Sequence, residues 1–192
     1  KDLSASISAA ETKAPALASD IEASESRAVQ LKDEKKTAQV DRDAAKDAMA
    51  QATALREKEA AAYAAEKAES DANIGAIKKA VAALEKGMAG SFLQTPAAQA
   101  LKQLANQQDM FESDREQLVA FLSSSEGYAP QSGQISGILQ QMGDTMSKGL
   151  ADATATEDAS IKAYEDLMAA KTKEVAALTA SIETKSKQIG EL

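Results

Sequence analysis

Histidine, cysteine and tryptophan are all absent from this 192-residue chain, and aromatic residues make up only 3% of it. Without His or Cys, the usual zinc, copper and haem ligands are missing, and so are the common nucleophile–base pairs. Acid–base work would fall to carboxylates alone. Asp41, Asp43, Asp47, Glu57 and Glu59 instead read as a solvated helix face, with no pocket evident to shift a pKa. The Asp41-x-Asp43 start lacks the glycine and the closing glutamate of an EF-hand loop, and Gly87-Met-Ala-Gly90 lacks the spacing and the Lys-Ser/Thr ending of a phosphate loop. No enzyme activity, no cofactor and no small-molecule substrate are therefore expected. Long apolar runs are missing too: the longest is a few residues of mostly alanine, far short of the ~20 that cross a bilayer. A net charge of −8 argues against nucleic acid as a partner, since that needs clustered Lys and Arg. Zero cysteine suits a reducing compartment, and equally a secreted protein whose helices carry the fold. With no signal peptide at Lys1, the chain is expected to be intracellular or already processed.

What is present is helix-forming. Charged residues are 27% of the chain, alanine is abundant, and nine glycines and three prolines are few enough to set boundaries one at a time. From Leu3 the apolar positions step by four and three through Ile7, Ala10, Ala14, Leu17, Ile21, Ala28 and Leu31, which is heptad spacing. Pro15 lies inside this run and predicts a break or bend there. Between Lys35 and Glu69 the stripe weakens, with Lys35, Arg42 and Arg56 at positions a heptad would fill with apolar residues, and its phase is expected to slip. It recovers at Ile74, Ile77, Val81, Leu84 and Met88.

"GMAGSFLQTPAAQ", residues 87–99, then predicts a stop, with Gly87 and Gly90 ending the first helix. Thr95-Pro96 reads as an N-cap followed by proline in the first turn, and Ser113 with Glu116 has capping-box spacing. Phe92, Leu93, Leu101, Leu104, Phe111, Leu118, Phe121 and Leu122 form the candidate core of a small helical head. "SSSEGYAPQSGQ", residues 123–134, stacks the signals of a loop around Pro130. The last segment carries the strongest periodicity, with Leu150, Ile161, Tyr164, Met168, Val175, Leu178, Ile182 and Ile189 on one stripe, interrupted by Lys171 and Lys185. Asp158/Lys162 and Glu183/Lys187 are spaced to pair along its outer face. The acidic groups Glu112, Asp114 and Glu116, and Glu157 and Asp158, read either as a weak calcium contact at an assembly surface or as plain solvated surface.

Two long striped helices around an apolar insert predict an all-α fold: an elongated antiparallel helical hairpin of coiled-coil type with a small helical head at its tip. The expected division is a long helix over 1–90, a head with turns over 91–131, and a return helix over 132–192, together one rod-like domain. Ile74, Ile77, Val81 and Leu84 would meet the return stripe in the hairpin seam. About the first thirty residues would then have a stripe but no partner within the chain. Leu3, Ile7, Leu17, Ile21 and Leu31 are accordingly the candidate assembly seam.

Three stretches carry a resemblance: residues 39–104, "YAPQSGQISGILQQMGDTM" and "EDASIKAYEDLMAAKTKEVAALTASIETKSKQIGEL". Their most specific parts are Gly-x-x-Gly-Ser-Phe-Leu-Gln-Thr and Tyr-Ala-Pro-Gln-Ser-Gly. The chain resembles a large family of dinoflagellate coiled-coil proteins, which are similar in size, acidity and helical character to the trichocyst matrix and granule lattice proteins of related alveolate protists. The resemblance implies a structural subunit of an extrusive filament or paracrystalline matrix. Such a subunit would be made as a cleaved secretory precursor, stored in a granule and found outside the cell after discharge. Its partners would be copies of itself and homologous coiled-coil subunits. The absence of cysteine departs from many such precursors and leaves packing and charge to hold the assembly. The competing expectation is a scaffold or binding module that docks on a larger complex through its 91–128 head.

Overall fold

A computed structural model describes residues 2–108, 110–124 and 132–192. They form five helices: α1 (Asp2–Glu85), α2 (Ala89–Leu93), α3 (Pro96–Gln107), α4 (Glu112–Ser123) and α5 (Ser132–Glu191), with no strand among the described residues. The fold is all-α. Two compact units divide the chain: unit 1 comprises Lys1–Arg56 with Lys162–Leu192, and unit 2 comprises Glu57–Ile161.

Helix α1 runs through Pro15, so the break expected there does not occur. Proline costs the bond its missing N–H would have made and crowds the carbonyl four residues back. Every described side chain from 3 to 23 is exposed, so that carbonyl has water available. The helix ends at Glu85, five residues before the expected limit at 90. Gly87 takes the left-handed conformation at φ 68°, its N–H donates to the Leu84 carbonyl at 3.1 Å, and the Met88 N–H donates to that of Ala83 at 2.8 Å. This pair of bonds is the Schellman arrangement, and it needs glycine at the left-handed position. Gly90 is no stop: it lies inside α2.

The start of α3 follows its sequence signal. Thr95 is extended at the N-cap, the Ala98 N–H donates to its Oγ1 at 3.3 Å, and Pro96 occupies the first turn. The capping box at Ser113 and Glu116 is not formed, because α4 begins earlier, with Phe111 at its N-cap. The Phe111 carbonyl accepts from both Asp114 and Arg115 N–H at 3.0 Å. Glu112 and Asp114 then sit in the first turn, where negative charge suits the helix dipole. Of the expected loop over 123–134, Ser123 belongs to α4 and Ser132 opens α5, while residues 125–131, Pro130 among them, lie outside the described residues.

In unit 2 the buried cluster joins Ile77, Ala80 and Leu84 of α1 to Phe92 of α2, to Leu101, Leu104 and Ala105 of α3, to Leu118, Phe121 and Leu122 of α4, and to Ile135, Leu139 and Met142 of α5. Gly143 brings α5 close to α1, since a Cβ there would lie 3.2 Å from Ile77 Cγ2. In unit 1 the buried apolar residues are only Leu31, Ala38, Ala45 and Ile182 among those described. Its two helix segments run antiparallel, because Glu34 pairs with Lys185 and Thr53 with Tyr164.

Candidate assembly surfaces

The seam of unit 1 shows what a heptad does with alanine and charge. Ser24, Ala28, Leu31, Lys35, Ala38, Arg42, Ala45, Met49 and Ala52 of α1 are all half-buried or buried, stepping by four and three without interruption. The expected slip is thus confined to one place: Ala52 and Thr53 are both half-buried, and the stripe shifts by one residue there. Lys35, Arg42 and Arg56 keep the phase because long side chains can lay their stems along the seam and hold their charge in water. Arg42 shows this, with its guanidinium on Asp43 at 2.8 Å. Opposite, Tyr164, Met168, Val175, Leu178 and Ile189 are half-buried and Ile182 is buried.

Polar contacts cross between the helices at fixed points. Lys185, an interruption by sequence, reaches Glu34 at 2.9 Å, and its hydrogen bond holds the Glu34 carboxyl below the usual carboxylate range. Thr53 Oγ1 and Tyr164 Oη lie 2.9 Å apart in unit 1. In unit 2 the roles exchange, with Tyr63 Oη 2.8 Å from Thr154 Oγ1. The sequence carries a signal for these clasps: Thr-Ala-x7-Ala-Tyr occurs twice, over 53–63 and 154–164, so each helix supplies one threonine and one tyrosine at the same spacing. The outer face pairs differ from expectation. Lys162 reaches Asp166 at 2.9 Å and Lys187 reaches Glu191 at 3.7 Å. The Asp166 and Asp71 carboxylates raise the pKa of their hydrogen-bonded lysines, Lys162 and Lys67.

The candidate residues divide by exposure. Ile74, Ile77 and Leu84 are buried in unit 2, Val81 and Leu150 are half-buried, and Ile161 is exposed. Of the candidate head core, Phe92, Leu101, Leu104, Leu118, Phe121 and Leu122 are buried and Leu93 is half-buried. Phe111 is not core: it is 75% exposed. As the N-cap of α4 it sits at a corner of the chain, beside a cleft of about 330 Å³ lined also by Met110, Ile138 and Met142.

The candidate assembly seam also splits. Leu31 is 2% exposed, in the buried part of unit 1, and so leaves that set. Leu3, Ile7, Leu17 and Ile21 are 77%, 52%, 56% and 54% exposed. The end of α5 lies just beyond them, with Ile189 and Leu192 lining one shallow cleft with Ile21, Ser24 and Ala28. Residues 3–21 therefore continue the buried stripe in unbroken phase onto an uncovered face. No group of three or more acidic residues placed to hold a metal ion occurs among the described residues, and no described helix is long and apolar enough to cross a membrane.

No curated protein and no solved structure matches the chain. A family model, Trichocyst matrix protein T1-F, matches residues 1–191. That match spans nearly the whole sequence, the alanine-rich stripes and the head alike, so the chain belongs to the T1-F family of trichocyst matrix proteins, structural proteins of an extrusive organelle.

Proposed function

We propose that this protein is a non-enzymatic subunit of a trichocyst-type filament or paracrystalline matrix and that it assembles through its helical seams. The observation that carries the reading is the stripe of Leu3, Ile7, Leu17 and Ile21, exposed yet in phase with the seam that α5 covers from Ala28 onward. A face of this kind buries its apolar side chains only by meeting another helix. In this reading α1 and α5 form one antiparallel hairpin with a helical head over 91–131. The subunit is stored in a secretory granule, becomes extracellular on discharge, and has copies of itself and homologous coiled-coil subunits as partners. The alternative of docking through the 91–128 head has one observation in its favour, the exposed Phe111 beside its cleft.

Electron microscopy and sedimentation of material from the native source test the proposal. Ordered filaments or concentration-dependent oligomers are expected. Soluble monomers at every concentration and calcium level would overturn it, and capture of one unlike partner that is lost on Phe111→Ala would favour the docking alternative.

A further inference from the structure

We infer that the exposed stripe pairs with the same stripe of a second copy, antiparallel and about a two-fold axis; the inference rests on reading this stripe as an assembly seam. The first argument is continuity. From Ala28 onward the seam of α1 is occupied by α5, which runs antiparallel to it, and Ile189 and Leu192 bring that coverage to Ile21. A second α1 arriving antiparallel travels in the same direction as α5 and takes up the seam where α5 leaves it. A parallel second copy would instead be carried along α1 into the place α5 already holds beside Ser24 and Ala28.

The second argument is self-complementarity. In antiparallel coiled coils each layer joins residues from the two alternating seam positions. Pairing Leu3 with Ile21 of the second copy brings Ile7 to its Leu17 and Ala10 to its Ala14. The other half repeats by symmetry, as an isologous contact requires. Large side chains meet large ones at both ends and alanine meets alanine at the centre, where the axes can close to ~8 Å. All of these residues are exposed in the single chain. The pair is closed at this surface, so growth into a filament needs a different one.

The chain has no cysteine, so single cysteines report the geometry directly. Full-length Ile7→Cys and Leu17→Cys proteins are oxidised separately and as an equal mixture, with helical circular dichroism confirming that each is folded. Disulfide-linked dimer is expected in the mixture and not in either protein alone. In the antiparallel register the two copies of residue 7 stand ten residues apart, ~15 Å, beyond the ~7 Å Cα separation a disulfide spans. Ala10→Cys mixed with Ala14→Cys repeats the measurement with all four large side chains in place, and the mixture should again link faster than either protein alone.

Crosslinking of Ile7→Cys with itself, at the rate of the mixture, would show parallel pairing; it would overturn this inference and leave the stripe an assembly surface. Absence of crosslinks in both mixtures, together with monomeric sedimentation of the unaltered chain, would overturn the inference and the seam reading together. Coverage of the stripe by another segment of the same chain, or by an unlike protein, would also leave the mixtures unlinked.

Discussion

Leu31→Ala is expected to open unit 1 while leaving the helices of unit 2 closed. Unit 1 buries Leu31, Ala38, Ala45 and Ile182, so only two of its buried side chains are larger than alanine. Leu31 is 2% exposed, and truncating it removes three carbons from a seam that has little else. Leucine-to-alanine changes in cores cost ~2–5 kcal/mol, and the seam of a helix pair, close to water on both sides, belongs toward the low end, ~2–3 kcal/mol. At ~1.4 kcal/mol per tenfold, local opening should rise about 30- to 150-fold. Hydrogen–deuterium exchange read by mass spectrometry resolves this, because amides that exchange by local opening report their own unit. Peptides from 24–49 and 171–189 should exchange faster by that factor, and peptides from α3 and α4 should not change. Acceleration spread evenly into 98–122 would mean that the units open together, and no acceleration at 24–49 would mean that Leu31 does not hold the pair. Either result refutes the reasoning.

Gly149 has nothing within 4 Å of where a Cβ would stand, so Gly149→Ala should stabilise by up to ~1 kcal/mol through helix propensity alone. At Gly143 the added Cβ would lie 3.2 Å from Cγ2 of the buried, β-branched Ile77, which is slow to give way, so Gly143→Ala should gain less or lose stability; equal thermal melts for the two variants would remove the close approach from the account. Thr95→Ala should cost ~1 kcal/mol by uncapping α3, with Thr95→Ser retaining most of it, as measured by chemical denaturation. The Glu34 carboxyl is held below its ordinary value of 4.5 by the hydrogen bond from Lys185, so the bridge stabilises above that pH and its contribution is lost as pH falls through the lower folded value. The stability difference between the unaltered chain and Glu34→Gln should therefore be full at neutral pH and shrink in acid. A difference that stays constant down to the acid transition would remove the bridge from the account.

The all-α class was legible because breakers are scarce and the stripes long, and the α3 start because Thr95-Pro96 is a local signal that no distant contact needs to complete. The start of α4 was not legible in the same way. Ser113 and Glu116 have the right spacing, yet the backbone turns in two residues earlier, where the Phe111 carbonyl takes both early N–H groups. Phe111 itself was misread as core because composition marks a phenylalanine as apolar and says nothing about which side of a helix entry it occupies. The weak stretch after Lys35 was misread for a related reason. Heptad scoring counts Lys35, Arg42 and Arg56 as failures, whereas amphipathic stems can hold a seam position with the charge outside.

The polar contacts across α1 and α5 explain how so thin a seam keeps its register. Small alanines on α1 hold the larger side chains of α5 only loosely against sliding: a shift of seven residues puts seam position back against seam position. The same shift would carry Tyr164 away from Thr53 and Lys185 away from Glu34 in unit 1, and Tyr63 away from Thr154 in unit 2. Each separated hydroxyl would keep its place in a half-buried seam without that partner, a loss of about 0.5–1.5 kcal/mol apiece. One hydroxyl pair is lost in each unit, and the Glu34–Lys185 ion pair is broken besides, so no single slip can avoid the penalty by finding one good contact. Large aliphatic side chains are then freed from setting register inside the chain. On α1 they are few in the seam of unit 1, where Leu31 is buried, and sit mostly in the core of unit 2 and on the uncovered stripe of Leu3, Ile7, Leu17 and Ile21. A chain that sets its own pairing with a few hydroxyls and one ion pair can leave the apolar stripe at the start of α1 for another molecule.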